Sequence, residues 1–409
     1  MKIRNLKPTR KALLGVIAVA IVALTAINEK ELSQIKSKYT IDLDGNKETS
    51  IPFSTYFKSL TTIILETNEN CLIGQIDELQ IFDGCIYILD RNRAKSLLVF
   101  DADGRFIRKI GNFGQGPGEY IHLWDFTLDT ENRFIYLLDY GQRVHKYHLD
   151  GTFVKTVTPK VQKSNIYFIQ FFKNRLYIST IAYKPAPNDY MLLETDLENG
   201  EILSKSLPLK YNKGWAELIF TGHNFFMSRL NAPPLYSRMF MDYIVSVGED
   251  ITPYIEIKSK NLVTDKDLGN ISNINGDIKA KLNSFSAYFR NSLKIFDINS
   301  YVENEEFILF MYQQGWMNYK TAVFHKKTGY VETGKFCKDI IYMNGENRFF
   351  GGFKFSDTQG AYEILHTSSI ESFQESIRNN EVVPELDKLD KLSNLEEDAN
   401  PVLFYYEFK

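Results

Sequence analysis

The stretch "CIYILDRNRAKSLLVFDADGRFIRKIG" (residues 85–111) decides the fold, because it returns 49 residues later as "FIYLLDYGQRVHKYHLDGTFVKTVTP" (residues 134–159). Asp90 and Asp139 fall in register under that shift. Each copy reads as an apolar run ending in Asp, a polar turn, a second run, an Asp/Gly turn and a third run. Runs such as CIYILD, apolar at successive positions, suit strands buried on both faces. DADG between two such runs is a hairpin signal. The turn glycines carry the period onward: Gly104, Gly151, Gly200 and Gly248 are 47, 49 and 48 residues apart, and Gly329 follows after 81. Four strands per unit of about 48 residues is the size of a propeller blade.

The expected fold is therefore all-β: a six-bladed β-propeller with a short helical C-terminal embellishment. The blades are placed at about 75–110, 121–160, 165–210, 215–258, 294–336 and 339–366. Residues 259–293 are an insertion that explains the long gap before Gly329. A helical segment is expected over 368–398, where Ser368 and Glu371 have capping-box spacing. Pro384 is placed to open a second helix there. The chain then ends in a strand, 401–409. A propeller closes by pairing its chain ends, and the candidates are Thr61–Thr67 and Val402–Phe408. The domain so defined runs from 59 to 409, preceded by a linker at 27–58.

The chain has 409 residues, 44% hydrophobic and 24% charged, enough to bury a core without staples. Aromatics reach 14%, mostly Tyr and Phe, which favours pleated surfaces. Residues 1–26 stand apart. Lys2, Arg4, Lys7, Arg10 and Lys11 precede the apolar run Ala12–Ile27. A basic start before a short apolar core reads as an export signal, with a retained anchor as the alternative. The run is shorter than the roughly 20 residues that span a bilayer. No Cys follows it, so no lipid-attachment site is evident, and the membrane is met only through this segment if it is not cleaved. The expected location is the periplasm or cell envelope.

Beyond residue 26 the chain carries 43 basic and 51 acidic residues, a net charge of −8. That argues against nucleic acid, which needs a basic footprint. Cys71, Cys85 and Cys337 are an odd set for an exported chain. Cys71 and Cys85 read as small buried hydrophobes, with a disulfide between them as the alternative.

With these pieces in place, the chain resembles the six-bladed, NHL-like β-propeller proteins exported by Gram-negative gut bacteria. The resemblance rests on "LETNENCLIG", "YILDRNRAKSLLVFDADGRFIRKIG", "GQGPGEY", "DYIVSVGEDITPYIEI" and the terminal "NPVLFYYEFK". It implies fold and export, and no particular chemistry, since the function of that family is generally unassigned. Members often carry a lipoprotein signal, which this chain lacks.

The glycine-rich stretch "GNFGQGPGEY" (residues 111–120) is not a nucleotide loop. Gly118 is followed by Glu119 where a Walker loop has Lys, and no G-x-G-x-x-G is completed. It reads as a blade-to-blade crossing, with a ligand role for Glu119 as the alternative. His145 and His148 are three apart, so on a strand they face opposite ways. There is no HExxH, EF-hand loop or nucleophile elbow, and no cofactor is expected. Propellers bind ligands around their central funnel. Projecting the repeats there gives Arg91, Arg93, Glu119, Trp124, Asp125, Arg143, Lys184, Trp316 and Lys354 as candidate ligand-binding residues. Arginine forks suit carboxylates and Trp faces suit sugars or cations. The expected function is an exported binding or interaction module, for a small molecule, an acidic or glycan-like ligand or an envelope protein. The alternative is a hydrolase or lyase with a metal or carboxylate site in the channel, for which Asp77, Asp125, Asp297 and Asp339 are the acids to locate.

Overall fold

A computed structural model describes residues 32–44, 48–182, 189–215, 225–226, 232–272, 278–339, 341–344 and 347–409. The export-signal reading of residues 1–26 and the candidate Lys184 lie outside these. So does His223.

The repeats form antiparallel four-stranded sheets. The first is Glu78–Phe82, Cys85–Asp90, Ser96–Asp101 and Phe106–Ile110. The second runs from Leu123–Asp129 out to Phe153–Val157, and the third from Ser164–Phe172 to Ile202–Pro208. In the fourth, strands between Phe225 and Lys258 gain a fifth, Tyr39–Asp42, parallel to Ile251–Lys258. The fifth spans Ile295–Glu303 to Val331–Gly334. Each sheet is apolar on both faces because it packs between two neighbours. Leu89, Leu97 and Val99 of the first meet Phe126, Ile135 and Leu137 of the second in one buried cluster.

The blade count differs from the sequence expectation. The described residues hold seven blade sheets of three or more strands, so the mainly-β propeller is seven-bladed, not six-bladed. The stretch expected to be one blade, 339–366, together with the residues just before it, feeds two sheets. Phe336–Lys338 and Asn347–Phe349 join the distant Ile51–Pro52 in a three-stranded sheet. Phe353–Ser356 and Gly360–Leu365 join Val402–Phe408 and Phe57–Ile64 in the closing sheet. The extra sheet has strands of two or three residues, one of them nearly 300 residues away, and no Gly turn marks it. Beside it the inner strands Ile295–Glu303 and Phe353–Ser356 touch each other. Phe353–Ser356 in turn touches Glu78–Phe82, joining the closing blade to the first.

Residues 32–44 and 48–56 run along the outer edges as a strap. They pair with the fourth blade at Tyr39–Asp42, bridge the fifth at Glu48↔Thr333 and enter the three-stranded blade at Ile51. The insertion holds two helices, Asp265–Ser272 and Ile278–Arg290. Phe285 and Phe289 pack with Trp215, Phe240 and Phe296. Asp267 fixes the pair, accepting from the Tyr288 hydroxyl at 2.6 Å and pairing with Lys294 at 3.1 Å.

At the C-terminus the helix Ile370–Arg378 starts from Ser369, with no side-chain cap. The Ser368/Glu371 capping box does not form. After Pro384 only one short turn, Leu389–Leu392, is helical. Ile370, Phe373, Leu386 and Leu392 are buried against the closing blade, so this segment is a packed cap.

Candidate functional site

Strands alternate in direction, so the start of each inner strand lies at the same end as the turn after the second strand. That end carries the 111–122 crossing, the 91–95 turn and the 140–143 turn. It opens onto an axial cavity of about 520 Å³. The cavity lies within the size range of small-molecule sites.

Its wall is built from inner strands. The first blade contributes Glu78 and Gln80, the third Gln170, the fourth Phe225 and Phe226, the fifth Asn299 and Tyr301, and the closing blade Lys354 and Phe355. Some polar groups brace the wall itself. The Gln170 amide donates to Thr127 Oγ1 at 3.1 Å and to the Phe171 carbonyl at 3.0 Å. Ser300 Oγ accepts from the Phe353 amide at 2.6 Å. The Lys354 ammonium stands 3.8 Å from Glu78 Oε2, too far for a hydrogen bond. Exposed His366 lines the cavity as well. Desolvation at the wall and the charge of Lys354 hold its imidazole below the usual value.

Tyr319 lines the fifth-blade side. Desolvation, then the charge of nearby Asp297, pushes its hydroxyl up. Asp297 shares a strand face with Asn299, whose amide donates to it at 3.4 Å. Desolvation raises the Asp297 carboxyl to about 7, against hydrogen bonds from Asn299 and the Ile298 amide.

The remaining candidates sit as follows. Arg91 stacks on Trp124, guanidinium carbon to ring centroid 5.2 Å, while Trp124 also packs edge-on to Tyr167. The Arg91 Nε and the Trp124 indole nitrogen are buried without a hydrogen-bond partner. Arg93 is exposed on the same turn. Arg143 is engaged by Asp139, whose Oδ2 accepts from Nε at 2.8 Å. Trp316 packs edge-on to Phe285 in the insertion cluster. Glu119 folds back onto its own loop: its Oε2 accepts from the Gly116 amide at 2.8 Å. The space above Gly114, where a Cβ would stand, is filled by that carboxylate. The Tyr147 hydroxyl donates to the Gly118 carbonyl. The crossing is thus braced from both sides. Of the nine candidates, Lys354 is the one that lines the cavity among the described residues.

The four acids have different surroundings. Asp77 accepts from the Arg91 amide at 2.7 Å and Asp125 from the Ile169 amide at 2.8 Å. Asp339 is fully buried against Arg348 and the Tyr406 hydroxyl, at 3.1 and 2.7 Å. Asp297 borders the cavity wall. Among the described residues no group of three or more His, Cys, Asp or Glu side chains is placed to hold a metal ion. His145 is buried between Thr156 and Asp139, and His148 is exposed. Cys71, Cys85 and Cys337 are free thiols, and Cys71 donates to the Glu66 carbonyl.

Apart from Lys354, sequence reasoning did not reach the cavity wall. Its signal was present: Glu78 and Gln80 in ELQIF and Gln170 in YFIQFF are polar residues inside otherwise apolar inner strands, and Asn299 sits in the polar stretch DINSY.

Comparison with known proteins agrees with this architecture. A Bacteroides fragilis structure, described as a "putative exported protein", superimposes with a TM-score of 0.67 at 19% identity, covering 91% of this chain and 99% of that one. A Bacteroides vulgatus member of the DUF4221 family gives a TM-score of 0.50 at 13% identity, covering 86% of this chain and 97% of that one. At these identities the likeness is one of fold. No curated protein matches the sequence. No described helix is long and apolar enough to cross a membrane. The model of a domain of unknown function, DUF4934, matches residues 38–407, nearly the whole propeller and its strap, and the chain belongs to that family.

Proposed function

We propose that the protein is an exported propeller of the periplasm or cell envelope that binds a polar, glycan-like ligand in its axial cavity. Export is supported by the basic start and short apolar run of residues 2–27. The description of the B. fragilis relative as exported points the same way. The binding reading is carried by one observation, the 520 Å³ cavity whose wall interleaves amides, aromatic rings and one lysine. Amides and ammonium groups hydrogen-bond hydroxyls, and aromatic faces cover the apolar side of a sugar ring. A glycan array with the mature protein is expected to return saccharide ligands. Tyr319→Ala is expected to weaken the best of them at least roughly tenfold in calorimetry. An array without hits, or full affinity in Tyr319→Ala, counts against the reading.

One observation favours catalysis as a second reading. The Asp297 carboxyl, raised to about 7, can hold a proton at neutral pH beside the cavity wall, as a general acid requires. Turnover of a bound saccharide would then be lost in Asp297→Asn with binding retained. Absence of product release by the native protein excludes it.

A further inference from the structure

We propose that the mouth of the cavity recognises the carboxylate of an acidic saccharide, seated between the Lys354 ammonium and the His366 imidazole. The inference rests on the ligand-binding reading above and names the ligand class for that site.

Lys354 lies near the start of Phe353–Ser356, and His366 follows the end of its antiparallel neighbour Gly360–Leu365. Both side chains therefore reach the same end of the closing blade, and both line the cavity. They are close enough for the lysine charge to act on the imidazole. Glu78 of the first blade pairs with Lys354 only at 3.8 Å, which leaves the ammonium protons for an incoming oxygen. Once His366 is protonated, two nitrogen donors of like sign repel each other in the empty site. A carboxylate between them converts that repulsion into two charge-assisted hydrogen bonds. A neutral diol leaves it in place.

The other ionisable groups on the cavity wall among the described residues are Glu78, Tyr301 and Tyr319, with Asp297 beside Tyr319. Glu78 balances Lys354, so net attraction for an anion comes from protonated His366. The bound anion raises the imidazole pKa from its depressed free value. Affinity therefore rises as pH falls through the bound-state pKa, and levels off below the free-state pKa. Binding takes up a proton between the two.

The test is calorimetry on the mature protein with oligogalacturonate and a neutral galacto-oligosaccharide of matched length. Titrations at about pH 5.5 and about pH 8 bracket the histidine range. The acidic probe is expected to bind roughly tenfold tighter than the neutral one at the lower pH, with proton uptake visible as a buffer-dependent heat. Lys354→Met and His366→Gln should each remove that preference, so that the acidic and neutral probes bind each variant about equally. Equal or tighter binding of the neutral probe overturns the inference and leaves the function standing. Acidic binding unchanged in both variants does the same. Binding of neither probe, with an empty glycan array, overturns both.

Discussion

Arg348→Met is expected to lower the unfolding free energy by about 3–5 kcal/mol, the range for removing one partner from a buried ion pair. Arg348 sits on Asn347–Phe349 of the three-stranded blade. Its guanidinium bonds Glu363 through both terminal nitrogens at 2.7 Å and reaches Asp339 at 3.1 Å. The Tyr406 hydroxyl accepts from Arg348 at 2.9 Å and donates to Asp339 at 2.7 Å. Glu363 and Tyr406 belong to the closing blade, so one cation joins two blades at the seam of the ring. Methionine keeps the stem and strands two carboxylates away from water. Urea denaturation measures the loss. Adding Asp339→Asn and Glu363→Gln should recover part of it, because the stranded charges go. A loss under about 1 kcal/mol would mean that water already reaches the network.

Asn400→Ala is expected to cost about 3 kcal/mol, from three side-chain hydrogen bonds left unmade in the interior. Asn400 is 1% exposed. Its Oδ1 accepts from the Ile73 amide at 2.7 Å, and its Nδ2 donates to the carbonyls of Glu66 and Cys71 at 2.6 and 2.8 Å. This one side chain ties the entry to the closing strand to the irregular segment 66–73. The expected readout is a lower melting temperature together with early proteolysis within 66–73. An unchanged protease map would show that the segment is held by Cys71, Ile73 and Ile76 packing alone.

Much of this architecture is legible in the residues. The 49-residue shift between Asp90 and Asp139 marks blades because both aspartates brace the same turn. Asp90 accepts from the amides of Gly74, Asn92, Arg93 and Ala94, and Asp139 from Arg143 and His145. In the same act Asp139 takes Arg143 out of the set of free rim cations, which a projection of charges onto a funnel does not foresee. Glu119 is similar, because a carboxylate that folds onto Gly116 three residues back has no sequence signature beyond the glycines themselves.

The three-stranded blade was not legible. Two- and three-residue strands carry no periodicity, and Ile51–Pro52 pairs with Cys337–Lys338 across nearly 300 residues of sequence. The cavity wall was half legible. Gln80 and Gln170 are conspicuous within apolar strands, but which polar residues meet across the axis depends on register and on the order of blades. Lys354 is reached by projecting the repeats onto the funnel, and it lines the cavity. His366 was missed because it lies just past a strand end.

If the axial cavity is the ligand site, a crystal structure with a saccharide selected from the array holds ordered sugar density inside it, in contact with Tyr319 and with its carboxylate at Lys354 and His366. Density confined to the outer faces of the blades, with the cavity holding only solvent, would contradict it.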